Sequence, residues 1–212
     1  MSVNEIILLL VSGVIVGIIN TLGGGGSVIT MSLFMAMGMS IGIANGTNRI
    51  AVLLQNLSAT IAFLRKGMLH IKSGVLLSLP AILGNIFGAL VATEVSESVF
   101  KICLSVVLAV ILIYLLLGKD NEQVTGGHGL KIKWWHYIIF FIIGFYGGYI
   151  YIGLGFLILA LAIWTMKLDI ITANVIKGFV IFLSTPFALA VFVYNGQVEW
   201  MAGLLHGAGN IL

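Results

Sequence analysis

The sequence predicts an all-α polytopic transmembrane protein, built from two inverted repeats with glycine-broken helices, the second repeat incomplete at its C-terminus. Three observations carry this expectation. Hydrophobic residues make up 60% of the 212 residues and charged residues only 8%, too little charge to cover a soluble domain of this length. The apolar residues fall in runs of about 20, the number that spans a bilayer as a helix, without the alternation of a membrane barrel. Five residues also return at one spacing: Gly24, Gly26, Ala44, Asn45 and Gly67 recur as Gly153, Gly155, Ala173, Asn174 and Gly196, each 129 positions later (24 to 153, 67 to 196). Glycine matching glycine and Asn matching Asn, with no gap between the pairs, marks a duplication.

The elements follow in order. Residues 4–37 are apolar but interrupted by Gly23, Gly24, Gly25, Gly26 and Ser27, so the stretch is too long for one span and reads as two short helices meeting at the glycines. Four adjacent glycines each surrender about 1 kcal/mol of helix propensity, which favours a break over a packing surface. Single spans follow at 43–64, 73–93 and 98–117. The polar segment GKDNEQVTGGHGLKIK then links the halves. A second over-long apolar stretch at 134–166 contains Gly147, Gly148, Gly153 and Gly155, and spans begin again at 172–194 and at 200. This gives a first transmembrane repeat at 1–118, a cytoplasmic linker at 119–133 and a second repeat at 134–212. Set against the first, the second lacks about a span and a half after its counterpart of His70. Gly13 and Gly17, and Gly84 and Gly88, have the small-xxx-small spacing of closely packed membrane helices.

Charge gives an orientation. The breaks holding Arg65, Lys66 and Lys72, and Lys119, Lys131 and Lys133, are basic and should face the cytoplasm of an inner-membrane, multi-pass protein. Two spans lie between them, which keeps both on one side. The counterpart of the first basic break, Tyr194 to Glu199, has lost its positive charges, as an upside-down second repeat requires. The net charge of +3 is scattered through short loops and forms no patch for nucleic acid. N-terminal residues 1–20 lack a basic leader and read as the first span.

Of ten Lys and Arg residues, Arg49 and Lys177 fall inside expected spans, in the similar segments IANGTNR and TANVIK. A cation at the centre of a membrane helix costs on the order of 2.5–3.5 kcal/mol on insertion scales. A bound anion would offset both. Asn45, Asn48 and Asn174 are candidate donors to it, and the breaks at Gly24, Gly25 and Gly26 and at Gly153 and Gly155 are candidate sources of backbone N–H groups and positive helix ends. The competing readings are snorkelling of both cations to an interface and interhelical pairing of the amides. All seven acids lie at span ends or in loops, which leaves no carboxylate pair for catalysis or cation transport. His70, His128, His136 and His206 lack metal-ligand spacing, and no cofactor motif is present. His206, within the last apolar run, is a candidate for proton coupling, with packing as the alternative. Cys103 has no second cysteine to pair with.

At GGGGSVITMSLFMAMGMS, ANGTNRIAVLLQNLSATIAFLRKGML and GFYGGYIYIGLGFLIL, the chain resembles the TauE/SafE sulfite exporter family, also called the 4-toluene sulfonate uptake permeases. The resemblance covers nearly the whole chain. It implies a two-repeat membrane protein that moves sulfite, thiosulfate, sulfonates or related organosulfur anions. Family members commonly carry a proline shortly after each glycine cluster, where this chain has Met31 and Ala160 or Leu161. Helix breaking here must therefore rely on glycine. The expectation is a secondary transporter of small organosulfur oxyanions working by alternating access, with no enzymatic activity. A passive anion channel, or a non-transporting scaffold or subunit, is the alternative. The lipid bilayer and a small anionic substrate are the expected partners, along with a homo-oligomer or partner subunit.

Overall fold

A computed structural model describes residues 1–103, 105, 106, 109 and 132–211, and among these every regular element is a helix. The linker at 119–131 and most of the span expected at 98–117 lie outside the described residues. The first half contains α1 (Val3–Leu22), α2 (Ser27–Ala36), α3 (Ile41–Arg65) and α4 (Ile71–Glu94), followed by the start of α5 at 97–103. The second half contains α6 (Trp134–Tyr149), α7 (Leu154–Met166), α8 (Ile170–Tyr194) and α9 (Trp200–Ile211). Both halves thus open with two helices separated by a glycine break and continue with a long helix.

Local chemistry explains the boundaries. At the start of α1 the Ser2 hydroxyl accepts from Glu5 N–H at 3.3 Å while the Glu5 carboxylate accepts from Ser2 N–H at 2.7 Å, a capping box. Ser40 caps α3 by accepting from Ile43 N–H, and Asp169 caps α8 by accepting from Ile171 and Thr172 N–H groups, both at 3.0 Å. Hydrogen bonds from Thr172 hold the Asp169 carboxyl below the usual carboxylate range. α3 and α8 both end on a left-handed glycine, Gly67 at φ +65° and Gly196 at φ +66°. The two long helices begin and end at positions separated by the same 129 residues (41 to 170, 65 to 194).

The molecule is apolar outside. Ile7, Leu8, Val11, Ile15 and Ile18 stand exposed along α1, and α1, α4 and α8 are long and apolar enough to cross a membrane. α3 is equally long but turns Asn45, Thr47, Asn48, Arg49, Gln55, Asn56 and Thr60 into the bundle. In lipid the polar residues must face protein, so α3 is the element around which the interior is organised.

Backbones meet where glycine allows it. α4 and α6 interlock through two small-xxx-small pairs: a methyl group on Gly84 or Gly88 would overlap backbone atoms of Phe141 or Phe145, and one on Gly144 or Gly148 would overlap those of Ala81 or Asn85. Gly13 and Gly17 of α1 lie against Gly209 and Asn210 of α9 in the same manner. The spacing at Gly84 and Gly88 and at Gly13 and Gly17 is therefore a packing device, as expected. Gly88→Val should lower stability by roughly 2–3 kcal/mol, the upper range for overpacking a tight interface, read as a fall in the thermal unfolding midpoint in detergent. An unchanged midpoint would contradict this interface.

Candidate functional site

The two glycine breaks meet in the middle of the bundle. α1 stops at Gly23, the chain turns through Gly24 at φ +98°, and α2 begins at Ser27. Asn20 secures the turn, its Oδ1 accepting from Gly26 N–H at 2.7 Å. In the second half α6 stops at Tyr149, the chain passes through Tyr151 at φ +70° and Gly153 at φ +74°, and α7 begins at Leu154. A Cβ placed on Gly24 would lie 2.6 Å from Gly155 Cα, and one placed on Gly155 would lie 2.7 Å from Gly24 Cα. The breaks thus touch backbone to backbone, an approach open only to glycine. Gly25 lies against the Phe156 ring and Gly26 against Val16 and Asn20.

Next to this contact the long helices reach across to the opposite half. From α3, Asn45 Nδ2 donates to Tyr149 O at 2.9 Å, and Arg49 donates to Gly147 O at 2.5 Å, Gly148 O at 3.0 Å and Asn45 Oδ1 at 2.9 Å. These carbonyls close α6. From α8, Asn174 Nδ2 donates to Thr21 O at 3.1 Å and Lys177 Nζ donates to Asn20 O at 3.0 Å, and these carbonyls close α1. The last carbonyls of a helix have no partner within it and carry its negative dipole end, so a cation and an amide are suited to them. Each long helix therefore clamps the broken helix of the other half. Arg49 is 0% exposed and Lys177 5%, which excludes snorkelling for both.

Arg49 is further enclosed by aromatic rings, its guanidinium carbon 4.7 Å from the Tyr151 ring centroid and 5.4 Å from that of Phe192. Tyr151 is a non-glycine residue in the left-handed region, which costs about 1–2 kcal/mol, and it is held there by surrounding packing. Its neighbour Tyr146 sends its hydroxyl to the Ile152 carbonyl.

A small cavity of about 20 Å³ lies between the halves, bordered by Asn20 and Gly24 from the first break, Gln55 and Asn56 from α3, Tyr151 and Gly155 from the second break, and Lys177 and Ile181 from α8. That space holds a water molecule or a single small group. Lys177 spends one donor on Asn20 O and has two more. Gly155 stands in the first turn of α7, where N–H groups have no acceptor within the helix.

Of the residues expected from sequence, Gly24, Gly155 and Lys177 come together around this cavity. Arg49 and Asn45 do not border it: the guanidinium Nη groups are held by the Gly147 and Gly148 carbonyls at the end of α6 and by Asn45 Oδ1, and its Nε is buried without a partner among the described residues. Asn174 is engaged with Thr21, Gly153 caps α7, and Gly25 and Gly26 pack beside the first turn. Asn48 is 1% exposed with its Nδ2 unbonded. Asn20, Gln55, Asn56 and Tyr151 were not expected. The first three are polar residues inside apolar runs, the same signal that selected Asn45, whereas nothing in the sequence marks Tyr151.

His206 is fully buried between α1 and α2. Its Nδ1 faces Leu9 O at 3.2 Å and Ser12 Oγ at 3.2 Å, its Nε2 faces Thr30 Oγ1 at 3.0 Å, and its ring meets Phe34 edge-on. The Leu9 carbonyl only accepts, so it calls for the proton on Nδ1, leaving Nε2 to accept from Thr30.

The chain is similar to proteins already grouped by sequence. The family profile described as sulfite exporter TauE/SafE matches residues 9–212. A probable membrane transporter protein, ORF9, of Sinorhizobium sp is 29% identical over 204 residues, covering 96% of this chain and 78% of its own length. A probable membrane transporter protein of Haemophilus influenzae is 24% identical over 211 residues, covering 100% and 83% respectively. The probable membrane transporter protein YfcA of Escherichia coli K12 is 26% identical over 200 residues, covering 92% and 73%. No solved structure matches significantly.

Proposed function

The chain belongs to the sulfite exporter TauE/SafE family of membrane proteins, and from that premise we propose that it is a secondary transporter of small organosulfur oxyanions such as sulfite, thiosulfate or a sulfonate. That it is a membrane transporter follows from the family and from its named relatives. The observation that supports the anion is Lys177, a cation 5% exposed on a cavity bordered by both halves, with no carboxylate beside it among the described residues. A buried unpaired charge is costly unless something compensates it. An oxyanion entering from water would do so, held by Lys177 Nζ and by the Gly155 N–H at the positive end of α7. The close approach of Gly24 to Gly155 keeps this position to about the size of a water in the arrangement described, so an oxyanion enters it as the halves part, and a compact headgroup is favoured over a bulky one.

In this reading the protein is a multi-pass component of the inner membrane, with the basic breaks at 65–72 and 119–133 toward the cytoplasm and the second half inverted relative to the first. Alternating access is a rocking of one half against the other about the crossing of the glycine breaks. The clamps through Asn45 and Arg49 and through Asn174 and Lys177 would keep each broken helix attached to the opposite half during that motion. Gly25, Gly26 and Gly153 belong to the breaks that the motion reshapes, and Asn48 lies buried within α3 beside Arg49 with its Nδ2 free for the ligand.

Reconstituted in liposomes, the protein should accumulate labelled sulfite, thiosulfate or methanesulfonate against a concentration gradient when a proton or sodium gradient is imposed. One of these anions should also raise the unfolding midpoint in detergent; saturation at 100 times Kd corresponds to about 2.7 kcal/mol. Flux that only dissipates an anion gradient would identify a passive channel instead. Absence of both flux and stabilisation would overturn the anion reading.

A further inference from the structure

Tyr151 combines three features that set it apart from the rest of the cavity lining. It is a non-glycine residue held at φ +70° in a break otherwise turned by glycine. It is 6% exposed and borders the cavity with Lys177 and Gly155. Its hydroxyl makes no hydrogen bond to any described residue, whereas the nearby Tyr146 hydroxyl is bonded to the Ile152 carbonyl. Strained backbone at a residue lining a cleft is a recurrent mark of a working residue.

The other polar groups of the lining narrow which donors a ligand there would meet. Asn20 and Gln55 are tied to each other and to backbone: Asn20 Nδ2 donates to Gln55 Oε1, and Gln55 Nε2 donates to Gly17 O. Asn56 gives its Nδ2 to Val52 O. Each of these amides is anchored to the scaffold through one N–H, and the two remaining Lys177 hydrogens, the Gly155 N–H and the Tyr151 hydroxyl add donors for a ligand. The Arg49 guanidinium over the Tyr151 ring withdraws electron density from the phenol and strengthens it as a donor.

We propose that the Tyr151 hydroxyl donates to the bound oxyanion and is a specificity-determining residue of the transport site. It rests on the anion reading of the cavity given above. The third donor favours a headgroup with at least three oxygens, a sulfite or sulfonate, over a carboxylate with two.

The test compares wild type, Tyr151→Phe and Lys177→Gln for binding of radiolabelled sulfite and for stabilisation by sulfite and by acetate in detergent. Tyr151→Phe keeps the ring beneath Arg49 and removes one hydrogen bond to a charged group, so sulfite affinity should fall roughly ten- to a hundred-fold, while the unfolding midpoint without ligand and the weak response to acetate stay as in wild type. Should Tyr151→Phe itself unfold early, Tyr151→Gly, which suits the left-handed backbone, should show the same loss of sulfite binding. If either folded variant binds sulfite as wild type does while Lys177→Gln does not, the role of Tyr151 is overturned and the anion site stands. If Lys177→Gln also binds sulfite normally, or wild type binds none, the anion site falls and the role of Tyr151 with it.

Discussion

Lys177→Gln is expected to abolish anion transport without unfolding the protein. The glutamine amide retains a donor for Asn20 O, so the end of α1 keeps its partner. The variant removes a charge that the fold buries to 5% exposure and leaves without a carboxylate partner among the described residues, so stability without ligand should stay the same or rise. Transport is affected in the opposite sense. Removing one member of a buried charge interaction costs about 2–5 kcal/mol, which lowers anion affinity by roughly thirty- to several thousand-fold. Uptake of labelled sulfite, thiosulfate or methanesulfonate into liposomes should fall to the level of protein-free vesicles, and anion-dependent stabilisation should vanish with it. Transport at the wild-type rate by a folded Lys177→Gln protein would remove the cation from the mechanism.

Arg49→Ala is expected to fail in a different way, by loss of structure. Three acceptors, the Gly147 and Gly148 carbonyls at the end of α6 and Asn45 Oδ1 on α3, would lose their donors in a space that water does not reach, and the rings of Tyr151 and Phe192 would face a void. Together these amount to about 3–5 kcal/mol, comparable with breaking a buried charged network. Arg49→Lys should recover only part of this, because an ammonium cannot bridge two carbonyls as a planar fork does. The measurement is the unfolding midpoint in detergent without anion, where Arg49→Ala should fall well below Lys177→Gln. Equal midpoints for the two would show that the clamp on α6 is not structural. The contrast between these variants separates the two cations that the sequence makes look alike.

That likeness shows how far the sequence could be read. The glycine breaks, the long helices and the burial of both cations were legible, because membrane solvation punishes charge and four glycines in a row, and because the 129-residue offset tied the halves together. Which acceptors the cations meet was not legible. Arg49 and Asn45 look like ligands for an external anion, yet Asn45 Nδ2 and the Arg49 Nη groups donate to carbonyls 98 to 104 residues away in the chain. Helix ends supply acceptors at every break, and sequence does not say which side chain reaches which end. Gln55 and Asn56 follow the rule that selected Asn45, being polar residues in an apolar helix. Tyr151 had no such mark, since a left-handed backbone at an aromatic residue is imposed by tertiary packing and is encoded by no local pattern.

The crossed clamps also bear on how the protein is made. The carbonyls of Asn20 and Thr21 wait for Lys177 and Asn174, which lie 157 and 153 residues further along the chain. A ribosome adding about 5–20 residues per second takes roughly 8–30 s to travel that far. For that interval the newly inserted leading half carries a raw helix end at the depth of its own glycine turn, served by water or by the insertion machinery. The end of α1 thus gains its side-chain donors only when α8 arrives, and a nascent chain halted in the linker would leave those carbonyls without them.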